Sequence, residues 1–595
     1  MIVASHRRRT AVSLLVLLAL FGLLVVLINP LHDFPMGDDW EYARTAQRML
    51  TTGEFYRSPV VQATALFPAV WGALFSWAFG FSFITLRLST LPLAAGTLVV
   101  FYLILGELNF DSVQRVVGTL TLMVAPLFVF NALSFMTDVP FLFWLIAGLW
   151  CSLRAFRQGR LAWLTAGSIC GALAFLTRQL GLALPAAVAL AVLLYRPRSD
   201  WPRWLAAAVV VPLAATVGFY AWQAVAGQTT WADATITNQG TLQFVFSLNL
   251  PAAIGRRLVV MLVSLNLYMA PLWLALAPRL RRAAPALSRL GGRLRAAAAV
   301  LVVFFFGSVT YFGARNDWWP YTRGSLTNAG LWPTLAFFTF PDDLRPPFLP
   351  APFWIVMTYI GAALSVVVTL NLVVRVVRAI QTWQRAGETR QRAGETRQSA
   401  GETRQRRVST TSGIMEQVQL VGPSRGLIYL TFLALLALIL VYPLFVERYF
   451  LPFLPLSIIL LLEAARGLRP SPALAAVGLL VVGVLSVGLM WDYFDWHAAR
   501  WDNSQALVAQ GVPLEKLDAG YEWAGWHLSD EAYAYIQAHH VPVTANPVQY
   551  VIDPEYMVTF TPQPGYQVAQ EWPFYSPFRP NGADHLLLLK RVAAQ

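Results

Sequence analysis

Apolar runs of roughly 18 or more residues are long enough to cross a bilayer as helices. In this chain such runs centre on Leu20, Leu93, Leu122, Leu145, Leu164, Val188, Val211, Leu265, Phe304, Val367, Leu435, Ile458 and Val482. They predict a polytopic α-helical membrane protein with about thirteen transmembrane helices, several of them short and broken by Gly or Pro. The first run, Ala11 to Asn29, follows His6-Arg7-Arg8-Arg9. It ends in Leu27-Ile28-Asn29-Pro30 rather than in a small-x-small cleavage site, so it reads as an uncleaved anchor.

The polar stretches between the runs set the orientation. With the N-terminus inside, the inside loops are Arg154 to Arg160, Arg196 to Arg203, Arg279 to Arg295 and Arg375 to Arg425. All are arginine-rich, which is the bias that cytoplasmic loops carry. The opposite loops are mixed or acidic, and an odd span count puts the C-terminus outside. Residues 376–424 form a cytoplasmic linker holding the repeat QRAGETR, QRAGETR, QSAGETR from Gln384 to Arg404. Its near absence of apolar residues leaves nothing to build a core from.

Residues 1–490 read as a transmembrane domain and 491–595 as a small extracytoplasmic α+β domain. In the latter, strands are expected at Val548 to Ile552, Tyr556 to Thr561 and His585 to Lys590. Helices are expected at Asn503 to Gln510 and Ser529 to His539.

Composition agrees with the pattern. Of 595 residues 57% are hydrophobic and only 13% charged, against about 25% charged in soluble chains. The formal charge of +13 suggests nucleic acid at first sight. Its concentration in the inside loops accounts for it by topology, and no nucleic-acid partner is expected. Cys151 and Cys170 both lie in apolar runs and read as small buried residues rather than a disulfide framework.

The same topology gathers ionisable residues on the outer side. Asp38 and Asp39 lie in the first outer loop, residues 30–82. Asp138 lies at the second outer turn, Arg178-Gln179 at the outer end of the fifth span, and Glu447-Arg448-Tyr449 between the eleventh and twelfth. Such groups at the hydrocarbon edge are costly unless paired or facing a cavity. Each also has a structural reading. Asp38 with Glu41 fits a helix capping box, the helix running to Gly53 as C-cap. Asp138 fits an N-cap with Pro140 in the first turn. Arg178 and Arg448 fit arginines that snorkel to headgroups. Their shared side favours a common polar cavity, and a residue at a helix start has the fixed direction that suits a base.

These residues resemble a known family. Asp38-Asp39-Trp40-Glu41-Tyr42-Ala43, followed by Arg48-Met49-Leu50-Thr51-Thr52-Gly53-Glu54, is similar to the Asp-Glu-x-x-Tyr-Ala…Met-Leu-x-x-Gly-Asp/Glu signature. That signature opens the first outer loop of GT-C membrane glycosyltransferases, among them protein O-mannosyltransferases and bacterial aminoarabinose transferases. Arg87-Leu88, Asp138, Phe175-Leu176-Thr177-Arg178 and Arg448-Tyr449 follow in the family's order. The tail stretch Gly520-Tyr521-Glu522-Trp523…Gly525-Trp526 resembles tails of related bacterial enzymes.

The resemblance implies a cell-membrane enzyme of the cell envelope with its active site on the extracytoplasmic side. It passes a sugar from a polyprenyl-phosphate donor to a hydroxyl of a glycan, lipid or protein, with inversion. The family's first-loop aspartate maps onto Asp38 as general base, with Asp39 and Asp138 as further acidic site residues. Tyr42, Arg57, Arg87, Arg178, Gln179, Glu447 and Arg448 are the expected donor-binding set, the arginines because guanidinium pairs with phosphate.

Two departures matter. Asp38-Asp39 stands where the family often has Asp-Glu, which leaves Asp39 open as base or ligand. Thr64-Ala65-Leu66-Phe67-Pro68 lacks the lysine of aminoarabinose transferases, which argues against aminoarabinose transfer. Some relatives use a divalent cation, so Asp38, Asp39 and Asp138 are also candidate oxygen ligands for Mg²⁺ or Mn²⁺. The tail histidines His497, His527, His539 and His540 lack zinc-like spacing. The rival reading is a transporter or lipid flippase. That class favours duplicated sets of spans, and none is evident here.

Overall fold

A computed structural model describes residues 2–592 except 59–60, 229, 231–232, 234–237, 288–291, 322–324, 333–334, 336–342, 344, 375–421, 539–550 and 552. The repeat-bearing linker, the strand expected at Val548 to Ile552, and His539 and His540 lie outside the described residues.

The chain is a polytopic helical membrane protein with a small mixed α/β tail. Its first ten α-helices are α1 (Ile2–Ile28), α2 (Asp39–Thr52), α3 (Leu66–Phe79), α4 (Phe83–Glu107), α5 (Ser112–Val124), α6 (Pro126–Ala132), α7 (Asp138–Gln158), α8 (Leu161–Thr177), α9 (Ala183–Tyr195) and α10 (Trp201–Val225). Among the described residues nine helices are long and apolar enough to cross a membrane, or ten with α5–α6 as one bent span. All thirteen expected centres fall in helices, but those at Leu164, Val188 and Ile458 lie in shorter apolar helices of 10–17 residues.

Local chemistry explains the breaks. α5 and α6 meet at 64°. Pro126 brings no N–H to the ladder, and its ring pushes the preceding residue out of helix. Ala125 accordingly has ψ 127°. Gly53 closes α2 at φ 75°, its N–H donating to the Met49 carbonyl. At the α7–α8 crossing a Cβ on Gly148 would stand 3.0 Å from the Gly167 carbonyl oxygen. Glycines there let two membrane helices approach closely.

Beyond α10, the helix Pro472–Ala509 is 38 residues long and runs through position 491, joining span and tail without a break. The helix expected at Asn503 to Gln510 is therefore the end of this longer one. The other tail helix begins earlier than expected, at Tyr521–Ala538. The four-stranded sheet orders its strands 517–518, 556–559, 583–591 and 566–575, the first pair parallel and the rest antiparallel. Leu586 to Leu589 are consecutively buried, as a central strand covered on both faces requires.

One end of the helical body collects the end of α1, the starts of α2, α4 and α7, the end of α8, the 447–450 turn and the tail. Trp491 reaches the Leu27 carbonyl at 2.9 Å, tying the long helix to the end of α1. The arginine-bearing turns at Arg157–Arg160 and Arg196–Arg203 follow α7 and α9, at the opposite end.

Candidate active site

α2 begins where the first loop turns. The capping box expected from Asp38 and Glu41 does not form. Asp38 occupies the N-cap position without a side-chain cap bond. Its carboxylate instead pairs with Arg448 at 2.5 Å. Glu41 turns to the tail and accepts the Tyr521 hydroxyl at 2.6 Å. Arg448 offers a full positive charge where a cap N–H offers only a partial one, so the tertiary partner overrides the local one.

Asp138 is the first residue of α7, with Thr137 at the cap. It pairs with Arg178, the residue that ends α8. The Tyr449 ring joins the two pairs: the guanidinium carbons of Arg178 and Arg448 lie 4.7 and 5.7 Å from its centre. Arg448 also feels the Asp138 charge, and Arg178 that of Arg448. Asp138 and Arg178 are thus the buried part of one cluster, with Arg448 and Asp38 half-buried at its edge. Asp138 Oδ2 and Arg448 Nε have no hydrogen-bond partner among the described residues, so the cluster retains unused donor and acceptor capacity.

Tyr42 faces this cluster from α2, and burial raises the pKa of its phenol. Burial, then the Asp38 charge, holds the Glu41 carboxyl well above its usual range. Gln179 donates to the Gln62 carbonyl at 2.6 Å, and Gln62 accepts the Tyr442 hydroxyl at 2.5 Å.

Other expected site residues are engaged elsewhere. Asp39 points away from Arg448 and accepts the N–H groups of Met36 at 2.6 Å and Phe135 at 3.2 Å. Arg87 donates to the carbonyls of Pro30, His32 and Phe34 at 2.8, 2.5 and 2.7 Å. Arg57 is paired with Asp233 at 2.7 Å and also reaches the Val61 and Ala63 carbonyls. Glu447 accepts the Tyr268 hydroxyl and the Leu326 N–H, and burial pushes its carboxyl up to about 7. Loop backbone without a ladder must find such partners.

Burial likewise raises the Asp39 carboxyl from 3.8 to about 7. The folded state then holds this proton more tightly than the unfolded one. The stabilising contribution is full below about pH 4 and is lost as pH rises through about 7. Asp39→Asn should therefore flatten the pH dependence of the melting temperature across that window. Because the structure keeps Asp39 off the cluster, this variant should also retain most activity, as rates in membranes would show.

Glu41 and Tyr521 belong to the cluster though the sequence pattern points them to a helix cap and to the tail, whereas Tyr449 joins it beside Arg448. Tyr449 adjoins Arg448 in sequence. Tyr521 has no local signal, since its contact spans 480 residues.

A membrane-embedded glycosyltransferase that draws its sugar from a lipid-phosphate donor is the class that one segment of the chain resembles. Residues 40–230 match the family model described as dolichyl-phosphate-mannose-protein mannosyltransferase. This segment carries Asp138 and Arg178 and begins two residues after Asp38. Among solved structures, ArnT from Cupriavidus metallidurans bound to undecaprenyl phosphate is 15% identical, with TM-score 0.41, covering 98% of this chain and 98% of that one. The S. cerevisiae protein O-mannosyltransferase Pmt1-Pmt2 complex bound to the sugar donor is 16% identical, with TM-score 0.32, covering 40% and 36%. Archaeal oligosaccharyltransferase AglB from Archaeoglobus fulgidus, in complex with an inhibitory peptide and a dolichol-phosphate, is 13% identical, with TM-score 0.37, covering 92% and 69%. No curated protein matches the sequence.

Proposed function

We propose that the enzyme transfers a sugar from a polyprenyl-phosphate donor to a hydroxyl of a glycan, lipid or protein, at the extracytoplasmic face of the cell membrane. The observation that carries this reading is the pairing of Asp38 with Arg448 beside the Asp138–Arg178 pair. The arginine-rich turns at the opposite end of the helices support the orientation. Residues 1–490 then form the catalytic membrane domain and 491–595 its outer cap.

The acceptor oxygen attacks the anomeric carbon opposite the phosphate. Its proton passes to the Asp38 carboxylate as the new C–O bond forms. The sugar–phosphate C–O bond breaks, its electron pair stays on the phosphate oxygen, and the configuration inverts. Arg448 and Arg178 hold the departing phosphate, whose charge they match bidentately. Engagement of the phosphate by Arg448 releases Asp38 from its ion pair, so donor binding prepares the base.

The residues present do not fit a divalent cation. Asp38 and Asp138 each face an arginine, and Asp39 faces backbone N–H groups. Among the described residues no three His, Cys, Asp or Glu side chains converge as ligands.

The test supplies polyprenyl-phosphate mannose, labelled in the sugar, to membranes of the source cell containing the full chain. Release of polyprenyl phosphate with label passing to an acceptor is the expected result. Movement of intact donor between leaflets without cleavage would overturn it.

A further inference from the structure

We propose that the tail completes the site, with Tyr521 and Glu522 as positioning residues that hold the chain on either side of Asp38. This rests on the reading of Asp38 as the base.

Gly37, immediately before Asp38, donates its N–H to Glu522 Oε1 at 3.2 Å. Its φ of 57° lies in the left-handed region that glycine enters without steric cost. A glycine also reaches many other conformations, so the direction in which Asp38 leaves this turn needs an external hold. Glu522 supplies one. Its second oxygen accepts Arg500 Nη1 at 2.8 Å, and Arg500 is wholly buried on the helix Pro472–Ala509. Arg500 Nη2 in turn lies 2.8 Å from His497 Nδ1. The carboxylate therefore holds Gly37 with one oxygen while the long helix fixes the other through Arg500.

On the other side of Asp38, the Tyr521 hydroxyl donates to Glu41 Oε1 at 2.6 Å. Glu41 lies in the first turn of α2, within electrostatic reach of Asp38 and Arg448. Two consecutive tail residues thus touch the backbone just before the base and the side chain just after it.

Separate contacts dock the tail helix on α2. Arg44 reaches Ser529 Oγ and the Trp526 carbonyl, both at 2.5 Å. A Cβ on Gly525 would stand 2.5 Å from the Trp40 ring, so the two helices are pressed together there. These contacts hold the two helices together independently of Tyr521 and Glu522, whose own contacts fall on the residues around Asp38. A base displaced by a fraction of an ångström loses rate while substrate binding persists.

The test uses the full-length chain in source-cell membranes with polyprenyl-phosphate mannose at saturating and limiting concentrations. Glu522→Ala should lower the saturated rate about 10- to 100-fold, with half-saturation unchanged. Glu522→Gln keeps an oxygen for the Gly37 N–H but turns its NH2 group toward Arg500, so it should recover only part of that rate. Tyr521→Phe should lower the rate about fivefold, as expected for one lost hydrogen bond. In an Asp38→Asn background, Glu522→Ala should cost nothing more, because both changes act through one group.

Wild-type rates in folded Glu522→Ala and Tyr521→Phe would overturn the assignment, as would a raised half-saturation at an intact rate. If Glu522→Ala fails to fold, Tyr521→Phe decides. An Asp38→Asn variant as active as wild type would instead refute the base reading. Inactive Asp38→Asn alongside fully active tail variants would refute only the role of the tail.

Discussion

Asp38→Asn should abolish transfer while the protein folds and inserts as before. General-base catalysis contributes about 10²- to 10⁴-fold, and the rate should fall by that order. Asn retains an oxygen that can accept from Arg448, so the loop keeps its conformation. The capping reading predicts a different result. Loss of an N-cap costs about 0.5–2 kcal/mol of stability and leaves chemistry alone. Since the Asp38 side chain makes no cap bond, the melting temperature in detergent should barely move. Polyprenyl phosphate release, followed by mass spectrometry, should fall to background. An active variant would remove Asp38 from the mechanism, and a misfolded one would restore it to the helix.

The second large effect concerns Asp138 and Arg178. Asp138→Leu leaves Arg178 charged and buried without its partner, and breaking a buried pair costs about 3–5 kcal/mol. The single variant should lose much of its folded yield. Adding Arg178→Met removes the stranded charge, and apolar replacements of both partners are often neutral for stability. The double variant should regain the wild-type melting temperature and still transfer no sugar. Activity in the refolded double variant would show that the pair serves only the fold. Thermal melting and donor turnover on the same preparations read both outcomes.

Much of the membrane body was legible in the chain because lipid imposes a simple code. Apolar runs must span, and backbone groups in them must pair within the helix. Every expected centre accordingly lies in a helix. The convergence of Asp38, Asp138, Arg178 and Arg448 followed from counting sides. Their pairings did not, because Asp38 and Glu41 carry a strong local capping pattern that the Arg448 and Tyr521 contacts overrode. Arg87 is a different case. Nothing in its neighbours shows that three loop carbonyls will claim its guanidinium. The strand Tyr566–Tyr575, which the sequence pattern did not indicate, carries Pro573 in its interior. The proline is tolerated there because this strand lies at the sheet edge.

The contact between Glu41 and Tyr521 closes a loop of 480 residues. A ribosome releases a chain from its N-terminus onward, and long-range contacts form only when both partners exist. Asp38 is made early, directly after the first span, yet Arg448 and Glu522 follow after most of the spans have been made. On the proposed mechanism the site is therefore incomplete until the chain is nearly finished. Any nascent or clipped chain lacking the last fifth is lipid-embedded, nearly full-sized and without the tail residues that grip the loop around Asp38.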